Sequence, residues 1–265
     1  MNEKDIKLGS PERFGYAWNI ASEIKNNNEI QFLSWTKVIK DKKFWKNKNI
    51  LDAGCGIGRN TYWPILYGAK SAVSIDLDDR TINAAKNNLS KFSNVKISKQ
   101  SIYDIQYENN FDISFSIGVI HHLEFPEKAI NELVKATKSG GQVLVWLYGY
   151  ENMELYVSLL NPIRKYVFSK APLPLVRLMS YFPTVFLYLY IKLGLSKLEY
   201  FKLLKRLSFK QIQQIIFDQM LPKTAKYYRK DEAIKLLTHP ELKELKIEWV
   251  NECSWSVIAT KKFKS

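Results

Sequence analysis

Cysteine is scarce in this chain: 265 residues carry only two, Cys55 and Cys253. Two distant thiols give no disulfide framework, and with three histidines no Cys/His spacing fits zinc, so no metal site is expected. Acids are also few. Asp and Glu number 26 against 40 Lys and Arg, leaving a formal net charge of +14. A field of that sign favours acidic partners, whether phosphorylated or carboxylated molecules, nucleic acid or an anionic membrane surface, without choosing among them. Uninterrupted apolar runs of about 20 residues, the length of a membrane span, do not occur. The opening Met1-Asn2-Glu3-Lys4-Asp5-Ile6-Lys7 lacks the apolar core of a signal peptide. These absences predict a reduced, cytoplasmic protein. The apolar content of 46% and the aromatic content of 14% suit one large domain or a domain with a substantial insertion.

Glycines are only 11, yet Gly54, Gly56 and Gly58 stand at alternate positions directly after the short apolar run at 50–53. Such spacing lets a chain turn sharply out of a strand and lets backbone approach a ligand, because no Cβ intervenes. A second apolar run at 71–75 ends in Asp76. An acid at the tip of the next parallel strand is where ribose hydroxyls are held in nucleotide-binding α/β sheets. The dinucleotide fingerprint has G-x-G-x-x-G, whereas this chain has G-x-G-x-G with Asp52 two residues before it, which argues against NAD. The stretch 49–61 resembles motif I of the class I S-adenosylmethionine (AdoMet) dependent methyltransferases, and Asp76 matches their ribose-binding acid. The resemblance implies AdoMet as cofactor, with S-adenosylhomocysteine as product, and contacts from Asp52, Gly54, Cys55, Gly56, Gly58, Asp76 and Leu77.

Strands and helices alternate across 46–148, which implies parallel strands with right-handed crossovers. Strands are expected at 50–53, 71–75, 95–98, 111–116 and 142–147. Helices are expected from about 59 to 68, after a cap at Asp78 or Asp79, and over 126–137, the last ended by Ser139-Gly140-Gly141. Ligands in such sheets bind beyond the carboxyl ends of the strands. After the third strand the family usually places an acid on the adenine amine. Here Ser101 aligns, a departure; Ser101 can still hydrogen-bond, Ile102 and Tyr103 are expected to cover the ring, and Asp104 reads as a helix cap. After the fourth strand, Ser116 and Ile117 should face the methionine end. The segment then reaches His121 and His122, which cannot point the same way on one helix or strand. One of them is a candidate general base, since imidazole titrates near neutrality; the other reads as structural. Tyr148 and Tyr150 leave the fifth strand toward the cleft as candidate substrate contacts.

Ahead of the first strand lies Arg13-Phe14-Gly15-Tyr16-Ala17-Trp18, and residues 30–39 have the apolar spacing of an amphipathic helix. These aromatics read either as core packing or as a lid over the cofactor. A similar Arg-Phe-Gly-Tyr-x-Trp arm in a group of bacterial methyltransferases favours the lid, with Tyr16 and Trp18 lining the pocket. Some seventy residues then interrupt the family pattern after the fifth strand. Between Pro162 and Lys210 there are ten basic residues and one acid, Glu199, interleaved with aliphatic and aromatic side chains. Pro172, Pro174 and Pro183 are expected to break this segment into short helices. It reads as a helical cap over the substrate, as a membrane-interface segment or as an oligomer contact; a nucleic-acid face is disfavoured by its apolar content. Asp218 and Gln219, in a Phe-Asp-Gln-x-x-Pro pattern shared with related methyltransferases, are candidate acceptor contacts, with helix capping the alternative for Asp218. A helix from 227 and strands at 245–250 and 254–259 close the chain, and the Lys-rich tail 261–264 reads as solvated.

The expected fold is therefore α/β: a Rossmann-like, seven-stranded, mostly parallel sheet with helices on both faces, an antiparallel C-terminal strand and a helical cap inserted after strand five. The divisions are 1–45 (arm), 46–150 (AdoMet-binding core), 151–226 (basic helical insertion) and 227–265 (closing helix and strand pair). The expected function is methyl transfer to an oxygen or nitrogen of a small-molecule, sugar or anionic acceptor. Methylation of a lipid-linked acceptor at the inner membrane face, or a non-catalytic scaffold of the same fold, are the alternatives. A homodimer is compatible with either. The family's Asn/Asp-Pro-Pro-Tyr motif for nucleic-acid amines and its Pro-Cys motif for cytosine C5 are both absent.

Overall fold

Alternating burial along the strands explains the layered architecture. In the computed structural model, which describes residues 10–195 and 197–263, β1 (Asn49–Ala53) sends Leu51 and Ala53 to one side of a sheet and Ile50 to the other. On the first side Val143, Val145 and Leu147 of β5 (Thr137–Tyr148) join them beneath α5 (Pro126–Ala136). On the second side Ile113, Phe115 and Ile117 of β4 (Phe111–Ile117) meet Trp45, Phe32 and Trp63. Period-two alternation with both faces covered is what holds a parallel sheet, and truncating one fully buried Leu or Ile here costs roughly 2–5 kcal/mol.

The seven strands run in the order β3-β2-β1-β4-β5-β7-β6, where β2 is Ser71–Asp76, β3 Val95–Lys99, β6 Leu242–Val250 and β7 Ser254–Lys261. The first five are parallel; β7 pairs antiparallel with β5 and with β6. The order reverses between β1 and β4, so the carboxyl ends of β1, β2 and β4 open onto one crevice. Helices α3 (Arg59–Leu66) and α4 (Asp79–Leu89) follow β1 and β2. Asp78 caps α4 by accepting from the Arg80 and Thr81 backbone N–H groups. Before the sheet lie α1 (Ser10–Ile20), packed on α4, and α2 (Asn28–Trp35). The opening heptapeptide and Lys264 lie outside the described residues.

Several expectations are corrected. Ser139-Gly140-Gly141 does not end a helix: β5 already begins at Thr137, and the glycines sit where its register against β4 shifts between Phe111 and Ile113. A Cβ on Gly141 would stand 2.9 Å from the Asp112 carbonyl oxygen, so these glycines serve a bulge in the ladder. Asp104 caps nothing, since no helix follows it before β4. Residues 227–229 precede the closing helix, α10 (Lys230–Leu237).

After β5 come α6 (Glu154–Ile163) with a π-turn at Arg164–Phe168, α7 (Leu173–Lys192), α8 (Glu199–Leu204) and α9 (Phe209–Met220). Instead of short pieces broken by proline, α7 is a 20-residue helix. Pro172 and Pro174 stand at its N-terminus, where no donor is needed, and Pro183 is carried inside it. Packing on α9 holds it across Pro183: Val176, Ser180, Thr184 and Ile191 are buried, and Gln213 Nε2 donates to Ser180 Oγ at 2.7 Å.

Candidate active site

The glycine loop is fixed by the strand that follows it. The backbone N–H groups of Gly54 and Cys55 both donate to the Ile75 carbonyl, at 2.8 and 3.0 Å. Gly54 has φ +86°, and a Cβ there would lie 2.4 Å from Val119 Cγ2, so only glycine fits. Asp76 closes the other side. Its Oδ2 accepts from Gly56 N at 2.8 Å, and its Oδ1 accepts from Leu77 N at 2.7 Å and from Thr81 Oγ1 at 3.2 Å. Burial raises the Asp76 carboxyl pKa on balance, against those donors. Gly54, Cys55, Gly56, Asp76, Leu77, Ile102 and Ile117 line one cavity of about 830 Å³, within the ordinary range for a ligand pocket. A carboxyl acceptor held at the tip of β2 beside backbone free of Cβ atoms matches a ribose diol and its attached chain, so these residues fit AdoMet.

Other expected contacts sit one layer back. Asp52 is fully buried beneath the loop; its Oδ2 accepts from Thr61 Oγ1 at 2.7 Å, its Oδ1 has no partner, and burial pushes its pKa up to about 7. Gly58, at φ +80°, lets the start of α3 rest on α4, where a Cβ would meet Leu89 Cδ1 at 2.7 Å. Ser116 Oγ donates to the Ala53 carbonyl, and Ser101 Oγ accepts from Tyr103 N in a turn. The neighbour Gln100, directly beyond β3, lines the cavity instead and offers an amide where the family has its acid.

The two histidines separate as their adjacency requires. His121 is fully buried, stacked on Tyr148 with ring centroids 3.7 Å apart. Burial, then the charges of His122 and Arg164, hold it well below the usual imidazole range. It is a packed, neutral ring. His122 lines the cavity, and its Nδ1 lies 3.0 Å from the Thr224 carbonyl. A carbonyl accepts only, so Nδ1 carries the proton in the neutral ring and Nε2 keeps its lone pair. Burial lowers the His122 pKa to about 4. Phe14 of α1 covers this ring at 5.0 Å.

Arg59, which sequence reasoning passed over, faces the same cavity from the first turn of α3. Its guanidinium lies 5.1 Å from the Trp18 ring and 4.7 Å from the Trp35 ring, with one long contact of 3.5 Å to Gln31 Oε1. Asp218 of α9 also lines the cavity and acts on Arg59 through its charge, yet the two form no ion pair. Burial lowers Arg59 to about 10 and raises Asp218 to about 7; Gln214 Nε2 donates to Asp218 Oδ1 at 2.8 Å. Asp218 sits in the last turn of its helix and makes no N-cap. The only hint of Arg59 in the sequence was its place directly after Gly58.

The arm reads residue by residue. Arg13 is buried and donates to the carbonyls of Phe168 (2.7 Å) and Leu221 (2.8 Å), tying α1 to the insertion. Gly15 abuts the Asp78 carboxylate, and Trp18 lines the cavity. Tyr16 instead packs edge-on against Phe217, off the wall. Tyr148 and Gln219 are on the wall and joined, Gln219 Nε2 donating to Tyr148 Oη at 2.8 Å while its Oε1 accepts from Tyr227 Oη at 3.2 Å. Tyr150 lies away, its ring under the Arg229 guanidinium at 4.4 Å. Among the described residues no group of three or more His, Cys, Asp or Glu is placed to hold a metal.

Residues 45–160 match a family model described as a methyltransferase domain. A tRNA U34 carboxymethyltransferase of Ruthia magnifica is 30% identical over 116 residues, covering 43% of this chain and 36% of the relative. The chain spans about a quarter to a half of the length of the first curated relatives it matches. Among solved structures, a Thermotoga maritima AdoMet-dependent methyltransferase, described as a possible histamine N-methyltransferase, superposes with a TM-score of 0.57 at 12% identity, covering 96% of this chain and 100% of that one. The magnesium protoporphyrin IX methyltransferase of Synechocystis with bound S-adenosylhomocysteine gives 0.54 at 11% identity, covering 89% and 84%. At such identities the structural likeness speaks to the fold.

Proposed function

We propose that this chain is a class I AdoMet-dependent methyltransferase, as its methyltransferase-domain match over residues 45–160 supports, and that it methylates an oxygen or nitrogen of a small acceptor bearing an anionic group, such as an acidic sugar. The observation that carries the reading is a single cavity. The glycine loop and Asp76 line it together with Arg59, Asp218, His122 and Tyr148. When bound, AdoMet supplies an electrophilic methyl group on a sulfonium centre. Asp76 would accept from the ribose hydroxyls, and Gly54 and Gly56 would let the backbone lie against the cofactor. Ile102 and Gln100 would meet the base.

On the acceptor side, Arg59 is a desolvated cation without an ion-pair partner among the described residues, flanked by two indole faces. A carboxylate or phosphate on the acceptor would satisfy it bidentately. Asp218 would accept from a neighbouring hydroxyl or amine. His122 Nε2 would take the proton of an attacking hydroxyl, being neutral throughout the physiological range. The likeness to a tRNA U34 carboxymethyltransferase covers 43% of this chain and 36% of that relative, and it carries no acceptor to this chain.

The test is calorimetry with AdoMet and S-adenosylhomocysteine, followed by turnover on matched pairs of acidic and neutral sugars or nucleotide sugars. The expected outcome is binding of both cofactor forms and turnover of acidic members only, lost in Arg59→Ala. Turnover of neutral members with equal efficiency would overturn the anion assignment and leave the cofactor assignment standing.

A further inference from the structure

Among the described residues, one face of the inserted helices has no partner. Along α7, Leu178, Phe182, Phe186, Leu189 and Leu193 follow at helical spacing and are 67%, 72%, 60%, 54% and 71% exposed. They form a single stripe, opposite the buried Val176, Ser180, Thr184 and Ile191. On α6 and the turn after it, Leu155, Leu159, Ile163, Tyr166 and Val167 are exposed in the same fashion. Solvated surfaces rarely present so many large apolar side chains together. Within 162–210 the charge is almost all of one sign. Lys165, Lys170, Lys192, Lys197, Lys205 and Arg206 are exposed, whereas the one acid between 162 and 210, Glu199, is already paired with Lys202.

We propose that this face is a docking surface for an anionic lipid bilayer, with α7 lying in the plane of the interface. Apolar side chains enter the acyl boundary while the lysines and arginine meet lipid phosphates, the pairing that holds interfacial helices. By length and composition α7 could cross a membrane, but its opposite face is committed to α9 through Ser180 and Gln213. Spanning would strip those polar groups of their partners in hydrocarbon. A second copy of the chain is a poorer occupant, because a two-fold contact would set this basic rim against itself on molecules that each carry +14. Arg177 and Leu187 of the same helix line the cavity, so docking and acceptor binding share one element.

The experiment is sedimentation of the full chain with vesicles of phosphatidylglycerol and phosphatidylcholine, against pure phosphatidylcholine, at low salt. The wild type should co-sediment with the anionic vesicles only. Phe182→Glu/Phe186→Glu should weaken that partition roughly tenfold or more, and Lys205→Glu/Arg206→Glu should do the same. S-adenosylhomocysteine affinity and melting temperature should stay unchanged in both. If the aromatic pair fails to fold, Leu178→Glu serves in its place. No co-sedimentation of the wild type would overturn the proposal. So would equal binding to neutral vesicles, or a dimer in ultracentrifugation that the apolar substitutions dissociate without any vesicle binding.

Discussion

His122 keeps its Nδ1 proton on the Thr224 carbonyl, and its pKa is lowered from 6.5 to about 4. Replacing it by Ala should lower kcat on a hydroxyl acceptor by on the order of 10²-fold or more, with S-adenosylhomocysteine affinity unchanged in calorimetry. The rate of the wild type should hold through pH 6 and fall only as pH nears 4, where an ordinary histidine would already have lost its base form. The same shift acts on stability. Between 6.5 and about 4 the unfolded chain takes up a proton that the folded ring refuses, so stability falls as pH drops through that window and is fully present above it. Asp218 behaves in the opposite sense. Its pKa is raised from 3.8 to about 7, so stability declines as pH rises through that interval. Asp218→Asn should therefore raise the melting temperature at pH 8, by about 2–4 °C per kcal/mol recovered. Scanning calorimetry should find that gain shrinking toward pH 4, while acceptor KM rises.

At the scale of elements, α1 is held by contacts that involve no ligand. Arg13 satisfies two carbonyls of the insertion, and the Arg80 guanidinium donates to the Glu12 carbonyl at 2.8 Å. The arm thus links α4, which follows Asp76, to α9, which carries Asp218. Arg13→Ala leaves the Phe168 and Leu221 carbonyls without their donor and should cost roughly 2–4 kcal/mol, read as a lower denaturant midpoint. Gly15→Ala would bring a Cβ to 2.1 Å from the Asp78 carboxylate carbon. It should weaken AdoMet binding by displacing α1, and an unchanged affinity in calorimetry would separate the arm from the cofactor site.

For the whole molecule, the cavity is bounded by elements spread along the described chain, from Pro11 to Ser254. Ligand binding should accordingly couple to global stability. At one hundred times its Kd, S-adenosylhomocysteine should stabilise the fold by about 2.7 kcal/mol, a rise of about 5–10 °C in melting temperature at this size. Asp76→Ala should abolish most of that rise, since it removes the acceptor at the tip of β2. A full shift in that variant would place the ribose elsewhere.

Local signals sufficed for much of this. Alternating apolar residues, the three glycines and an acid at the end of the second strand determined the sheet, its parallel half and the glycine-loop end of the cavity, because strand period and backbone clearance are properties of neighbouring residues. The glycines at 140 and 141 misled for the same reason: a bulge and a helix end use identical chemistry, and only the pairing of β5 with β4 separates them. Pro183 misled because the energy that carries α7 across it comes from α9, a partner no local window contains. The acceptor end was least legible. Arg59 stands next to Gly58 in sequence, but its meaning lies in Trp18, Trp35 and Asp218, which come from three other helices. Which of two adjacent histidines reaches the cavity was likewise decided by Tyr148 and Thr224. Side-chain type is written in the sequence, whereas desolvation and the identity of a partner across the cleft are products of long-range packing, and those two quantities set the charge states on which the proposed chemistry depends.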